Sequence, residues 1–319
     1  MKKKKDKLSP DVGLAIEQFE GLNKSFYEGF VSNFYDIKLN NLMFLFSNPD
    51  DYINSIVGKK LKIGKSVMNI DKKEIKKGDI KKFAKLELAM TYYHCLETFI
   101  RLFLAHATLS DCPWLDLSRL TNRKYKTELE NLSNNNFKDL NNILNENDSV
   151  LFVLSGFSKC PKELSIEDIE GLKNWVVWSA LQLLKVFDYN AFKHGLAISP
   201  KYGGIKIVDN GKVKINVHGD ILEFISRTEK ETRYVWTKET ILVSYDARVA
   251  IIFTVSKMIQ NIMNVGRALH FKESLKSGWI PKKDWSPGFI SKNNKDSLFK
   301  MTGFKMTGFK KELLYYEDN

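Results

Sequence analysis

The residues from Lys82 to Ala107 read KFAKLELAMTYYHCLETFIRLFLAHA, and this stretch decides the fold class. Its apolar side chains cover nearly every side of a helix, a pattern that is typical of a helix buried on most sides. Asp111 and Pro113 follow shortly after, and a proline cannot continue a helix. We therefore expect a long core helix against which other helices pack.

Apolar residues at helical spacing predict further helices on both sides of this stretch. One or two amphipathic helices are expected from Pro10 to about Phe46, and the Asn-rich segment 121–148 predicts a helix followed by a loop. A second buried helix is expected from about Leu172 to His194, with Ser165 as an N-cap residue before it. A last helix is expected over 244–270.

The hydrophobic period changes to two between residues 203 and 245, which indicates β-strands. Asp209-Asn-Gly211 is a strong hairpin-turn signal. The alternating segments are Gly204–Val208, Val213–Val217, Ile221–Ser226 and Thr232–Trp236. The sequence therefore predicts a mainly α fold, a helical bundle with a small antiparallel β-sheet insertion of three to five strands.

Composition shifts divide the chain into four parts. These are a basic tail at 1–10, an N-terminal helical region at 11–81, a helical core at 82–276 with the β insertion at about 203–245, and a basic irregular tail at 277–319. Within the second part, the lysine-rich residues 47–82 predict a loop or a small substructure. The final part repeats the pentapeptide MTGFK at 301–305 and 306–310, which is typical of a tolerant surface segment.

The net charge of +12 favours phosphate-rich partners, and nucleic acid above all. A composition rich in Lys, Asn and Ile also arises without such a function when a genome is AT-rich, so both interpretations stay open. The three cysteines form no CxxC pair, and no long uncharged apolar run is present. We therefore expect a cytoplasmic protein with no membrane partner, no metal and no cofactor.

Four ionisable residues lie on one stripe of the Lys82–Ala107 helix. They are Glu87, His94, Glu97 and Arg101, at spacings of seven, three and four residues. In a helix that is otherwise apolar, such a stripe faces either solvent or an internal polar site. Glu97 and Arg101 also have the spacing and orientation of an ordinary ion pair within one helix.

The second buried helix ends with Tyr189-Asn-Ala-Phe-Lys-His194-Gly, which is the strongest candidate site. Asn190 and His194 are four residues apart and share a helical face. Histidine can act as a general acid or base because its pKa lies near neutrality. The same residues could equally cap the helix, because Lys193 and His194 favour its C-terminal dipole and Gly195 ends it.

The run from Asn190 to His194 resembles the motif of the HEPN superfamily, in which an arginine, a polar residue and a histidine lie on one helix. The resemblance implies a metal-independent endoribonuclease of a toxin or antiviral-defence system, acting as a homodimer on RNA. His194 would be the catalytic acid or base, with Asn190 beside it. Tyr189 occupies the position of the family's arginine, so Lys193 or Arg101 would bind phosphate, with Glu97 and His94 in support.

A second class of function stays open beside the enzyme. In a non-catalytic binding or regulatory module, the same helices would form a partner groove or a dimer interface. Cleavage of RNA that depends on His194 would separate the two classes.

Overall fold

The computed structural model describes residues 14–71, 75–137, 140, 153–155, 165–184, 198–209, 212–230, 233–273, 278–281, 286–287, 290 and 308–312. After a 3₁₀ turn at Ile16–Gln18, its helices are α1 Phe19–Gly29, α2 Phe34–Ser47, α3 Pro49–Ile56, α4 Lys77–Ala107, α5 Pro113–Arg119, α6 Asn122–Ser133, α7 Ile166–Leu184 and α8 Tyr245–Phe271. The strands are β1 Lys60–Ile63, β2 Ser66–Asn69, β3 Ile198–Asp209, β4 Lys212–Lys230, β5 Arg233–Leu242 and β6 Gly308–Glu312. The predicted fold class, mainly α with a small antiparallel β insertion, is confirmed.

Helix α4 forms the centre of the fold, as its apolar sequence predicts. It begins at Lys77, five residues before the predicted start, and ends at Ala107 as predicted. Helices α2, α7 and α8 pack along it. Several of its large side chains have no exposed surface, among them Leu96, Phe99, Ile100 and Phe103. Each such burial stabilises the fold by roughly 2 kcal/mol, so α4 anchors its neighbours.

A hydrogen-bonded carboxylate joins α2 to α8. Asp36 accepts hydrogen bonds from Ser256 Oγ at 2.8 Å, from Lys257 Nζ at 2.6 Å and from Gln260 Nε2 at 2.7 Å. Burial works against the charged form of Asp36, but these three hydrogen bonds, led by that from Lys257, outweigh it and lower its pKa. This contact fixes the start of α2 against the middle of α8.

Local capping signals place the starts of α7 and α8. The Asp168 backbone N donates to Ser165 Oγ at 3.2 Å and the Ser165 backbone N donates to Asp168 Oδ2 at 3.0 Å, which is a reciprocal capping box. Ser165 is therefore the N-cap residue that the sequence predicts, although α7 begins at Ile166 and not near Leu172. The predicted continuation of this helix to His194 lies outside the described residues.

Helix α8 is long and apolar enough to cross a membrane by length and composition, and among the described residues it alone meets that criterion. However, 67% of its most apolar window is buried inside the protein. Core helices of this length meet the same criterion. Its start is capped by Ser244 Oγ, which accepts a hydrogen bond from the Ala247 backbone N at 3.2 Å.

The larger sheet is antiparallel with the order β3-β4-β5-β6. The two predicted strands Val213–Val217 and Ile221–Ser226 are one continuous strand, β4, and this part of the prediction was wrong. The alternating pattern breaks at Gly219, but Gly219 stands opposite Gly203 in the ladder, so pairing with β3 continues through the break.

The predicted irregular tail, 277–319, also needs correction. Its residues Gly308–Glu312 form β6, which pairs with Thr237–Ile241 of β5. Asn261 of α8 holds another part of the same tail, because its Nδ2 donates to the Trp279 carbonyl at 2.7 Å and its Oδ1 accepts from the Trp279 N at 3.2 Å. The sequence pattern does not predict these contacts, because neither partner lies within local spacing: Asn261 is 18 residues from Trp279, and β5 lies about seventy residues before β6.

The lysine-rich residues 47–82, predicted as a loop or small substructure, contain α3, the start of α4 and a β-hairpin. In the hairpin, Lys60 of β1 pairs with Asn69 of β2 and Ile63 pairs with Ser66. Gly64 turns the chain with a φ of 58°, a conformation that glycine adopts without steric cost. All eight strand residues are exposed on both faces, so the hairpin projects from the helical body.

Candidate functional site

The motif that the sequence singles out lies outside the described residues. Tyr189, Asn190, Lys193 and His194 are all in this segment, so their roles stay predictions. The described chain on both sides of it contacts the same part of α4. The ring of Trp178 in α7 lies 6.5 Å from that of Tyr92, edge to face, and Ile198 at the start of β3 packs in a cluster with Ala89.

The polar stripe of α4 meets different neighbours at its two ends. Glu87 pairs with Lys38 of α2 at 2.5 Å. Arg101 pairs with Glu97 at 2.9 Å, as predicted for residues four apart, and its guanidinium lies 4.0 Å from the ring centre of Tyr125 in α6. Glu87 and Arg101 are separated by roughly 21 Å along the helix, so they do not share one site.

His94 lies between these two ends, half-buried where α2 crosses α4. Its backbone carbonyl accepts a hydrogen bond from Tyr35 Oη at 2.9 Å. The same hydroxyl lies 2.7 Å from Thr98 Oγ1. Burial, more than any neighbouring charge, raises the pKa of Tyr35, so its hydroxyl stays protonated and acts as a donor to this turn of α4.

An arginine that sequence reasoning missed lies next to this part of α4. The Arg248 guanidinium of α8 is 4.8 Å from the ring centre of Tyr92 and 5.5 Å from that of Tyr93. Tyr92 is the residue that also contacts Trp178. No spacing within the sequence relates Arg248 to Tyr92, because the two are brought together only by the packing of α8 on α4.

A second feature is a concentration of positive charge, which we term the lysine ridge. Residues 59–85 hold eleven lysines and three acidic residues, and so contribute +8 of the net charge of +12. The described members of the ridge are Lys59, Lys60, Lys62 and Lys65 of the hairpin and Lys76, Lys77, Lys81, Lys82 and Lys85 at the start of α4. All of them are exposed except Lys81 and Lys85, which are half-buried.

The two faces of the hairpin differ: both strand lysines lie on one face, beside Val67, and the other face is mainly apolar. Successive side chains of a strand point to opposite faces, so Lys60 and Lys62 share one face while Leu61 and Ile63 share the other. Ile63 is 86% exposed, and Met68, which pairs with Leu61, is 59% exposed. Apolar side chains this exposed on a projecting ribbon are typical of a surface that contacts a partner.

The ridge leads to a cleft of about 600 Å³ between the helices and the sheet. The end of α2, the starts of α4 and α8, and the facing edge of β3 and β4 line it. Lys85 lies in its wall, ion-paired with Asp220 of β4. The Lys85 ammonium is also 5.6 Å from the ring centres of both Phe46 and Tyr245.

Tyr245 and Tyr202 are the other notable groups of the cleft. The Tyr245 hydroxyl is buried and makes no hydrogen bond to any described residue. Burial raises the pKa of Tyr245 well above its usual value, with Asp220 adding to the shift and Arg248 opposing it. Tyr202 is 77% exposed and stands directly opposite Asp220 in the sheet. The cleft therefore combines aromatic walls with the ion pair of Lys85 and Asp220.

A buried histidine lies in the last turn of α4, at the end opposite to the ridge. His106 Nδ1 lies 2.7 Å from the Leu102 carbonyl and Nε2 lies 2.9 Å from Tyr27 Oη. A carbonyl only accepts, so Nδ1 carries the proton and Nε2 accepts from the tyrosine. Burial lowers the pKa of His106 to about 4, and nearby His270 adds to this effect while the bond to Leu102 opposes it. This histidine is neutral and structural.

Comparison of the chain with protein-family models, with curated proteins and with solved structures finds no match. Among the described residues, no group of three or more His, Cys, Asp or Glu side chains could hold a metal ion. The ridge, the cleft and the motif are therefore the features of the chain that indicate a function.

Proposed function

We propose that this protein binds single-stranded RNA along the lysine ridge and cleaves it at a HEPN-like site formed by Asn190 and His194. The observation that carries the proposal is the ridge, where two thirds of the net charge lies within 27 residues. A charge spread evenly over the surface would fit a purely compositional origin. A charge concentrated on a projecting hairpin and one helix end favours a phosphate-rich partner.

The few acidic residues near the ridge do not neutralise it. Lys77 pairs with Asp50 and Lys82 lies 3.9 Å from Asp79, and all four side chains are more than half exposed. Exposed pairs of this kind contribute little stability, so their lysines can exchange a carboxylate for a phosphate at small cost.

The apolar side of the hairpin favours a single strand as the ligand. Leu61, Ile63 and Met68 are exposed beside the lysines. In a duplex the bases are stacked inside and only phosphates and groove edges are offered to such side chains. In a single strand, bases can lie against the apolar face while the phosphates follow the basic face.

The catalytic part of the proposal follows the resemblance to the HEPN superfamily. His194 acts as general acid or base, Asn190 orients it or the scissile phosphate, and Lys193 or Arg101 supplies positive charge. Its support is that the chain on both sides of this segment contacts α4 at Ala89 and Tyr92, two to eight residues before His94 and Glu97.

The binding step is tested by a charge-matched pair of variants. One replaces Lys59, Lys60, Lys62 and Lys65 by alanine, and the control replaces the exposed Lys24, Lys124, Lys126 and Lys272. RNA affinity is measured by fluorescence anisotropy between about 50 and 200 mM salt. The ridge variant should lose affinity, and the slope of log affinity against log salt should fall by roughly 0.7 per lost contact. Equal losses in both variants would contradict the proposal.

The cleavage step is tested with labelled RNA in the presence of EDTA. Cleavage that His194→Ala abolishes, in a variant whose circular dichroism is unchanged, supports the enzyme. Binding without cleavage supports the alternative, a non-catalytic binding module. Sedimentation of the same samples tests the homodimer that the resemblance implies.

A further inference from the structure

We infer that the cleft between α2, α4, α8 and the sheet binds one unstacked nucleobase that carries an exocyclic amine. The base is either that of a free nucleotide or one base of a bound RNA strand. Only the second source rests on the proposed function, because a free nucleotide needs neither RNA binding by the hairpin lysines nor the motif.

The size and the walls of the cleft fit a planar aromatic ligand. Its volume of about 600 Å³ lies within the range of small-molecule sites. Phe46, Tyr245 and Tyr202 supply aromatic surface on three sides, from α2, from α8 and from the sheet. Stacking on aromatic side chains is the usual way in which proteins hold an unstacked base.

The polar groups of the cleft determine which base it prefers. Asp220 and Asp246 both line it, and their carboxylates accept hydrogen bonds. The amine of adenine or cytosine donates to such an acceptor, whereas uracil offers a carbonyl at the corresponding position. Tyr245, which also lines the cleft, contributes its ring to this pocket.

The lysines beside the cleft can bind a phosphate that is attached to the base. Lys81 and Lys85 each lie 5.6 Å from the ring centre of Phe46, so two ammonium groups stand over one aromatic wall. Lys81 and Lys77 belong to the same side of α4, one turn apart, and continue this line of charge toward the hairpin. A nucleotide in the cleft therefore has cations beside its phosphate and a track of lysines beyond it.

Calorimetric titration of the full chain with AMP and with UMP tests the inference. AMP should bind, and UMP should bind roughly tenfold more weakly. The Tyr202→Ala variant should lose about 5- to 100-fold in AMP affinity, the usual effect of removing one stacking partner. Because Tyr202 is 77% exposed, its removal leaves the fold intact. Phe34→Ala is the control, since Phe34 is an exposed aromatic residue of α2 outside the cleft.

Three outcomes decide the matter. AMP binding that falls in Tyr202→Ala but not in Phe34→Ala supports the site, and a parallel fall in RNA affinity assigns the base to the strand. AMP binding without any RNA binding supports the cleft as a free-nucleotide site while the proposed function fails. No AMP binding up to about 10 mM, together with RNA affinity that is unchanged in Tyr202→Ala, overturns the inference.

Discussion

The two ends of α4 differ in burial and in charge. The last three turns, Leu96–Ala107, are almost entirely buried, with Phe99 and Phe103 at 0% exposure. The first turns carry four lysines of the ridge, with Lys76 as the N-cap residue before them, and they line the cleft. One continuous helix thus serves as a core element at one end and as part of a charged surface at the other.

The helix dipole makes the lysines at the start of α4 unfavourable for stability. Cations near a helix N-terminus oppose its dipole and cost roughly 0.3–1 kcal/mol each when close to the first turn. Lys76 and Lys77 lie at this end, and only Asp79 in the first turn favours the dipole. The exposed pair of Lys77 with Asp50 offsets little of this cost. The presence of the lysines against this cost favours a binding role for the start of α4.

The largest expected difference between the two ends is in packing. Phe103→Ala should lower the free energy of unfolding by roughly 3–5 kcal/mol, because it removes a fully buried ring and leaves a cavity. Phe83→Ala, in the second turn of the same helix, should change it by less than about 0.5 kcal/mol because that ring is 52% exposed. Urea unfolding of both variants measures the difference, and comparable losses would show that the N-terminal end is also core.

The next effect in size is a pH dependence of stability that His106 gives to the buried end. His106 has a pKa of about 4 when folded and about 6.5 when unfolded. A lowered pKa means that the unfolded state takes up the proton first. The stabilisation is therefore complete above pH 6.5 and is lost as the pH falls towards 4, by about 3 kcal/mol in total.

Unfolding of the wild type and of His106→Gln, measured between pH 7 and pH 4, tests this assignment. Glutamine does not titrate in this range, so the variant should lack that part of the pH dependence. The pKa of His270 is also lowered, chiefly by burial, and it contributes in the same direction in both proteins. If the two curves fall in parallel, the titrating group is not His106.

The parts of the fold that the sequence predicted are those with a local cause. The apolar Lys82–Ala107 stretch specifies a buried helix by itself, and Ser165 and Ser244 begin helices through hydrogen bonds to residues three positions away. Strand β6 has no such local signal, since its partner in β5 lies about seventy residues earlier. The hairpin of β1 and β2 shows no alternation of buried and exposed residues, because neither face is buried.

The candidate site was less accessible to prediction for the same reason. The pairing of Glu97 with Arg101 follows from their spacing and is confirmed at 2.9 Å. In the cleft, Lys85 is ion-paired with Asp220, which is 135 residues away, and its ammonium lies near the ring of Tyr245. No spacing rule relates such positions, and only the packing of the sheet against α4 and α8 brings them together. The Asn190–His194 segment remains a prediction from the sequence.

The smallest expected change in stability is at Lys85, between the charged start of α4 and its buried end. Its side chain is 23% exposed and that of Asp220 is 27% exposed, so the pair is half shielded from water. Lys85→Gln should lower the free energy of unfolding by about 1 kcal/mol, because Asp220 then lacks its countercharge. Lys77→Gln is the matched control on the same helix. Lys77 and Asp50 are 54% and 61% exposed, so that variant should be nearly neutral.

A thermal or urea unfolding series of both glutamine variants, repeated at high salt, measures this difference. Salt should weaken the contribution of the exposed Lys77 pair first, since an exposed pair is screened more than a half-buried one. If Lys85→Gln proves as neutral as Lys77→Gln, then Lys85 does not hold the sheet to the helices. Its ammonium would then belong functionally with the exposed lysines of the ridge, and the boundary between the two ends of α4 would move inward past Leu88.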